Sequence, residues 1–196
     1  MEHLVLKVLL NEVRLCRLTV LYTHSEHYLA PSAIGLASSS EKPIHLRMKI
    51  LVLADTHNKL PPAILDLAAV ADEIWHLGDV CAERIVDELR AIGPPVTVVR
   101  GNCDSNYEWP LTVDLVRKGL KFRLEHIPPE PRDLSGEDID VLLHGHTHVP
   151  RNEKRGSVLF LNPGCVTRPN QGSPASVAWL EIAEGKINWR LVPLRY

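Results

Sequence analysis

The sequence predicts an α/β domain that begins at Met48 and follows an N-terminal extension. Between Met48 and Arg100, apolar strand patterns alternate with amphipathic helix patterns. This alternation is typical of parallel strands joined by crossover helices. After residue 110 the pattern changes to short strand-like runs separated by turn residues, with little helix. We therefore expect a mostly antiparallel second half.

The individual elements are predicted from the length of each apolar run, its β-branched residues and the positions of glycine and proline. In the first half, residues 49–54, 73–78 and 95–100 are short apolar runs typical of buried strands. The segments between them are predicted helices: residues 61–72, with proline in the first turn, and residues 81–93, closing on Gly93. The second half is predicted to contain strands at 111–116, 120–126, 140–145, 157–162, 176–182 and 186–192.

Residues 1–47 differ in character from the rest. An amphipathic helix pattern is followed by "APSAIGLASSSEKP", a small and polar stretch typical of a linker. Met48 is the only methionine besides Met1. The favoured interpretation is that Met48 is the natural start and that residues 1–47 come from an over-extended gene model or form a dispensable extension. The alternative is a targeting or partner-binding arm.

Composition narrows the class of ligand. The formal net charge of −2 gives no bulk attraction to nucleic acid or to an anionic membrane, so a phosphate-containing substrate would need local chemistry such as metal ions. No uninterrupted apolar run reaches the roughly 18 residues of a membrane span, and the start lacks the order of a secretory signal. The four cysteines form no CxxC pair, which predicts neither a structural zinc cluster nor a disulfide framework. These features favour a reducing cytoplasm.

Polar side chains follow one predicted strand after another. In open α/β sheets, ligands bind at the carboxyl ends of the strands. The residues at these ends are Asp55, His57, Asp79, Asn102, His126, His144, His146 and His148. Most of their motifs are weak alone, because D-x-H, G-D and G-N pairs are common in turns. G-H-x-H is stronger, and the ordered combination predicts a metal site.

The motifs "ADTHN", "HLGDV", "RGNCDS" and "GHTHVP", continued by "RGSVLFLNPGCVTRPNQGSPASVAWLEI", give the chain a family resemblance from Met48 onward. It resembles the calcineurin-like metallophosphoesterases, and most closely their YfcE-type small phosphodiesterase branch. The resemblance implies a four-layer α/β/β/α sandwich of two mixed sheets with a two-metal centre. It also implies a ligand set: Asp55, His57 and His148 for the first metal, Asn102, His126 and His146 for the second, and Asp79 bridging them.

This ligand set suits phosphoester hydrolysis. Two divalent cations about 3.5 to 4 Å apart can clamp phosphoryl oxygens and activate a bridging water for in-line attack on phosphorus. Mixed carboxylate, amide and imidazole ligands favour Mn, Ni, Fe or Zn over Ca and do not distinguish among these four. Of the four, we expect Mn. We also expect Asn58 and Cys103, within the same motifs, to contact the substrate. The set leaves out His144, which either packs in its strand or supports the site, and His76 is interpreted as a core histidine.

Two positions depart from common family patterns. Many relatives have histidine at Cys103, where it is interpreted as the general acid, whereas the YfcE-type branch has cysteine. A thiol, with a reference pKa of about 8.5, is a weaker proton donor near neutrality. We therefore expect a preference for diesters or activated leaving groups. At His126 the branch has His-Gly, but here Ile127 follows, which leaves open whether His126 points into the site or away from it.

The sequence thus predicts a cytoplasmic, metal-dependent phosphodiesterase acting on a small phosphate ester. Alternatives on the same centre are a phosphomonoesterase and a dinucleoside polyphosphate hydrolase. An alternative of another class is a non-catalytic scaffold, because the retromer scaffold subunit has this fold. The expected partner is the small ester, with no nucleic acid polymer and no membrane, and a homo-oligomer is left open.

Overall fold

The computed structural model describes residues 47–195. The amphipathic helix and the linker expected in the extension lie outside the described residues. Ten strands form two five-stranded mixed sheets. In chain order they are β1 (Met48–Leu53), β2 (Glu73–His76), β3 (Val96–Val98), β4 (Thr112–Arg117), β5 (Leu120–Glu125), β6 (Val141–Leu143), β7 (Arg151–Arg155), β8 (Val158–Asn162), β9 (Ser176–Ala183) and β10 (Lys186–Pro193).

The first sheet has the strand order β10-β9-β1-β2-β3. Strands β1, β2 and β3 are parallel, as the alternating pattern predicts, and the crossovers are α1 (Pro62–Ala68) and α2 (Arg84–Ile92). Both helices are shorter than the segments predicted from sequence. Strands β9 and β10 return from the end of the chain and extend this sheet in antiparallel pairing.

The second sheet has the strand order β4-β5-β6-β8-β7. Its outer pairs, β4 with β5 and β7 with β8, are antiparallel as expected. The central strand β6 is parallel to both of its neighbours, which the sequence pattern did not indicate. Strand β7, with the sequence "RNEKR", was also missed, because a mostly exposed edge strand carries no apolar alternation.

One hydrophobic core lies between the two sheets, and another lies between the first sheet and its helices. Because side chains alternate along a strand, β1 turns Ile50 and Val52 toward the second sheet and Leu51 and Leu53 toward the helices. Trp75 of the first sheet contacts Phe122 of the second edge to face, with ring centroids 5.4 Å apart. This packing fixes the two sheets against each other.

The layers agree with the predicted fold class. Helices α1 and α2 cover the outer face of the first sheet. Over the second sheet, the described residues supply a 3-10 helix, Pro131–Leu134, whose Leu134 packs with four other buried side chains. The fourth layer of the sandwich is therefore small. No helix in residues 47–195 is long and apolar enough to span a membrane.

Phe122→Ala tests the packing between the sheets. Phe122 is 1% exposed, so we expect the truncation to lower the free energy of unfolding by about 3–5 kcal/mol. Urea unfolding at neutral pH measures the change. The control is Val70→Ala, at a side chain that is 62% exposed, which we expect to shift stability by less than about 0.5 kcal/mol. Equal effects of the two substitutions would contradict the assignment of the core.

Candidate metal centre

The candidate ligands lie on backbone that L-amino acids seldom adopt. Five of them have positive φ angles: Asp55 (57°), His57 (40°), Asp79 (53°), His146 (66°) and His148 (58°). Such conformations are uncommon outside glycine and concentrate at functional sites. Hydrogen bonds between loops hold them: the amide of Asp55 donates to Gly78 O and that of His57 to Asp79 O, each at 3.0 Å.

Glycine allows the loops to approach closely. A Cβ atom built on Gly101 would lie 2.2 Å from both the backbone nitrogen and Oδ1 of Asp79. A Cβ on Gly78, whose φ is +87°, would lie 2.8 Å from Nδ1 of His126. Since real side chains cannot occupy such positions, these glycines make room for Asp79 and His126.

A first group of ligand atoms comes from the loops after β1 and β6. Nε2 of His148 lies 3.2 Å from Oδ1 of Asp55 and 3.4 Å from Nε2 of His57. Atoms from all three residues lie within 4.8 Å of one another. The structure therefore brings together the three residues expected at the first metal.

A second group forms beside it. Oδ1 of Asn102 lies 3.1 Å from Nε2 of His126 and 2.9 Å from Nδ1 of His146. These are the three residues expected at the second metal, supplied by the ends of β3, β5 and β6.

Asp79 lies between the two groups. Its Oδ2 is 3.9 Å from Nε2 of His57 in the first group, and its Oδ1 is 3.3 Å from Nε2 of His126 in the second. One carboxylate thus presents an oxygen to each group. All seven predicted ligands converge, while metal ligation itself stays a prediction.

His126 points into the centre although Ile127 follows it. The His126 side chain is buried, whereas that of Ile127 is 54% exposed. Nδ1 of His126 donates to Leu77 O at 2.7 Å, which turns Nε2 toward Asp79 and Asn102. Of the two orientations left open by the sequence, the structure has the inward one.

The hydrogen bonds of His126 and His148 fit a cation in each ligand group. A carbonyl oxygen can only accept, so Nδ1 donates both in His126, to Leu77 O, and in His148, to Arg168 O at 2.6 Å. In the neutral rings, each Nε2 then presents a lone pair to a carboxylate oxygen. Oδ1 of Asp55 is buried and has no hydrogen-bond partner within residues 47–195. Opposed acceptors of this kind need a proton or a metal ion between them.

Electrostatics sets the protonation of these ligands. Burial raises the pKa of Asp79, but hydrogen bonds from His126 and the Cys103 amide outweigh it and hold that pKa below its ordinary value. Burial lowers the pKa of His57 and of His146. Near neutral pH this leaves Asp79 ionised and the imidazoles of His57 and His146 neutral, which is the protonation state that metal binding requires of these residues.

Burial and neighbouring groups have opposite effects on the pKa values of two residues of the centre. Burial raises the pKa of Asp55 to about 6, against the opposing effect of His126 and His148. Burial lowers the pKa of His126, but its hydrogen bonds with Asp79 and Leu77 outweigh this and raise the pKa above its ordinary value. A proton on His126 and a metal ion would stabilise Asp79 in the same way, and so they compete for this position.

His144 and His76 lie outside both groups. His144 is buried, with Nδ1 3.0 Å from the carbonyl oxygen of Gly145, and burial lowers its pKa to about 4. His76 is fully buried in β2, with Nε2 3.1 Å from Oγ1 of Thr56, and burial lowers its pKa to about 3. Both rings are therefore neutral and pack beneath the loops that carry the ligands.

The two residues expected to contact substrate lie at the rim. Asn58 is exposed, with a φ of 69°, and its amide donates to Val80 O. Cys103 is exposed, and its amide donates to Oδ1 of Asp79 at 2.8 Å. Burial and then the Asp79 carboxylate raise the pKa of the Cys103 thiol, so the side chain is uncharged near neutrality.

The sequence did not assign roles to two buried polar residues that support the loops. Asp104 accepts from the amides of Gly101 and Cys81 at 2.7 Å and of Asp79 at 3.0 Å. Asn162 accepts from the amide of Gly164 and donates to Gly145 O at 2.9 Å. Both stand within recognised motifs, "GNCD" and "NPG". The contacts of Asp104 with Asp79 and Cys81, and of Asn162 with Gly145, join loops that are distant in sequence.

A cavity of about 490 Å³ adjoins the second group. Its lining includes Asn102, His126, Arg100, Tyr107 and Glu125. The guanidinium of Arg100 lies over the Tyr107 ring, 4.7 Å from its centroid. Burial raises the pKa of Glu125 to about 7. The cavity therefore offers an aromatic face, a cation and a partly protonated carboxyl next to the centre.

Comparison with known proteins identifies the family. Residues 48–185 match the calcineurin-like phosphoesterase superfamily domain. The chain belongs to this superfamily. The phosphoesterase is 32% identical over 161 residues to phosphodiesterase YfcE from Escherichia coli, in a match that covers 68% of this chain and 88% of the relative. This similarity supports the YfcE-type branch.

Solved structures of the same fold include proteins of different kinds. An archaeal phosphodiesterase has a TM-score of 0.65 at 23% identity, with 75% of this chain and 100% of the other covered, which shows the fold alone. A single-mutant Vps29 from Entamoeba histolytica has a TM-score of 0.61 at 26% identity, with 76% of this chain and 100% of the other covered.

Family membership makes this protein a metal-dependent phosphoesterase, and the convergent side chains are potential metal ligands.

Asp104→Ala tests whether the buried loop contacts support metal binding. Three backbone amides would lose their acceptor, so we expect the affinity for Mn²⁺ to fall about 10- to 100-fold. Isothermal titration calorimetry of metal-free protein measures this change, with Asp104→Asn as a second variant that preserves the side-chain shape. The control is Asp87→Ala, at a side chain that is 73% exposed on α2. Unchanged affinity in both Asp104 variants would contradict the supporting role.

Proposed function

We propose that the phosphoesterase hydrolyses small phosphate diesters with two divalent metal ions, most simply Mn²⁺. The position of Asp79 carries this proposal, because its two oxygens face two separate groups of ligand atoms. The ligands of both groups are carboxylate, amide and imidazole, a set that suits Mn, Ni, Fe or Zn. When bound, the metals would supply a hydroxide nucleophile and hold the phosphoryl oxygens.

The side chains prepare the centre for this reaction before substrate arrives. Hydrogen bonds to Leu77 O and Arg168 O fix the ring orientations of His126 and His148. Asp104 accepts a hydrogen bond from the backbone amide of Asp79. This contact holds Asp79 in place between the two groups. Preorganised ligands need little rearrangement in the transition state, which is the main source of electrostatic catalysis.

The adjoining cavity is the proposed place of one alcohol group of the ester. Its volume of about 490 Å³ accommodates a small organic group but not a polymer. Tyr107 can contact a ring, and Glu125 can exchange a hydrogen bond with a hydroxyl or amino group. The net charge of −2 agrees with a small ester as partner in place of nucleic acid or membrane, and we propose a cytoplasmic enzyme.

The weak acidity of the Cys103 thiol favours a diester substrate over an alkyl monoester. Its thiol stands at the rim with a raised pKa, and a weak acid gives little help to an unactivated alkoxide leaving group. A phosphomonoesterase or a dinucleoside polyphosphate hydrolase would use the same metal centre. The similarity to Vps29 supports the scaffold alternative, but the convergence of all seven ligand candidates favours an enzyme.

Asp79→Asn tests the two-metal reaction. An amide has only one oxygen to offer, so we expect metal-dependent hydrolysis of an aryl phosphodiester to fall more than about 100-fold. This loss is larger than the one usually caused by replacing a residue that only supports a metal ligand. Metal-stripped wild-type protein is reconstituted with Mn²⁺, Ni²⁺, Fe²⁺ or Zn²⁺, and initial rates are compared, with Asp87→Asn as the control. Full activity in the Asp79 variant, or no metal-dependent turnover in wild type, would overturn the mechanism.

The relative rates of two ester types test the role of Cys103. With the Mn²⁺ enzyme we expect kcat/KM for an aryl phosphodiester to exceed that for an unactivated alkyl phosphomonoester at least 100-fold, the range of general-acid contributions. A cyclic nucleotide is measured in parallel as a diester with a nucleoside group. Comparable turnover of the diester and the alkyl monoester would remove the basis for a diester preference.

A further inference from the structure

Two thiols stand beside the candidate metal centre and are not part of it. Nδ1 of His57 and Sγ of Cys81 are 3.6 Å apart. These two atoms and Sγ of Cys103 all lie within 4.8 Å of one another. We call His57, Cys81 and Cys103 the thiol cluster. The loops after β1, β2 and β3 each supply one member, so the cluster exists only in the folded chain.

We propose that the thiol cluster is a separate binding site for a thiophilic divalent cation such as Zn²⁺ or Cd²⁺. Two thiolates and an imidazole are a ligand set for soft or borderline metals, unlike the set around Asp79, which has imidazole, carboxylate and amide groups but no thiolate. In a tetrahedral zinc site with bonds of about 2.3 Å to sulfur and 2.0 to 2.1 Å to nitrogen, the two ligand atoms lie about 3.6 Å apart. His57 and Cys81 already have this separation.

The backbone holds both cysteines in place without a metal. Cys81 has a φ of 64°, and its amide donates to Oδ1 of Asp104 at 2.7 Å. The amide of Cys103 donates to Oδ1 of Asp79 at 2.8 Å. Binding therefore orders little besides two short side chains, which keeps its entropic cost low.

The cluster is accessible and leaves room for a fourth ligand. Cys103 is exposed and Cys81 is partly exposed, so an ion can reach the sulfur atoms from solvent. On binding, each thiol transfers its proton to the solvent, and the resulting two thiolates neutralise the charge of a divalent ion. A water molecule can complete the coordination, as in zinc sites with three protein ligands.

His57 connects the thiol cluster to the first ligand group. Its Nε2 faces His148 and Asp79, while Nδ1 faces Cys81. A neutral imidazole carries one ring proton, and so metals can occupy both nitrogens only after that proton is lost. A thiophilic ion in the cluster therefore alters the ligand strength of His57 toward the first metal. Through this shared ring, the ion acts on the phosphoesterase centre.

A cadmium titration of the full-length, Mn²⁺-loaded protein tests this site. Coordination of Cd²⁺ by thiolate produces a sulfur-to-metal charge-transfer absorption in the ultraviolet, to which a centre without thiolates contributes nothing. We expect the band to saturate at one Cd²⁺ per chain in wild type. The band reports sulfur coordination whether or not any ester is hydrolysed, so its outcome is distinct from that of the turnover assays.

Cysteine substitutions identify the thiols that produce the absorption band. Cys81→Ser and, as an independent substitution, Cys103→Ser should each raise the dissociation constant for Cd²⁺ at least tenfold. The matched control is Cys16→Ser/Cys165→Ser, which keeps only the two cysteines of the cluster and should retain the full band. An absent band in wild type, loss of the band in the control, or a smaller than tenfold effect of either single substitution would overturn the proposal.

Discussion

The carboxylate of Asp79 is the feature on which the geometry of the centre depends. It lies where loops from both sheets meet, with one oxygen toward His57 and the other toward His126. Its surroundings are arranged for it: Gly101 leaves space that a Cβ would fill, and Asp104 binds the Asp79 amide. The hydrogen bonds that hold the carboxylate also keep it ionised. A negative charge therefore stands between the two groups of ligand atoms.

The topology explains why these loops meet. Two parallel triplets, β1-β2-β3 in one sheet and β5-β6-β8 in the other, direct the carboxyl ends of their strands toward one edge of the sandwich. Packing between the sheets, centred on Trp75 and Phe122, fixes the distance between the two rows of strand ends. The centre is consequently a property of the sandwich as a whole, and neither sheet could form it alone.

The sequence predicted the strand ends well because the buried strands and their polar successors are local patterns. It predicted less where contacts are distant. The charged edge strand β7 has no apolar alternation, and the parallel pairing of β6 is decided by its neighbours in the sheet. The orientation of His126 depends on Leu77 O, 49 residues earlier in the chain, and the position of Ile127 gave no indication of it. The role of Asp104 was hidden for the same reason.

The left-handed backbone at five candidate ligands has a consequence for how such a protein can change over time. Each strained residue costs of the order of 1 kcal/mol or more, and glycine would adopt the same conformation without that strain. Mutations that discard the ligands can thus leave the sandwich as stable as before, or more so. Replacing the ligand residues therefore need not lower the free energy of unfolding. The surfaces of the sheets remain unchanged when the ligands are lost. A fold of this kind can therefore pass from an enzyme to a binding platform without crossing an unstable intermediate.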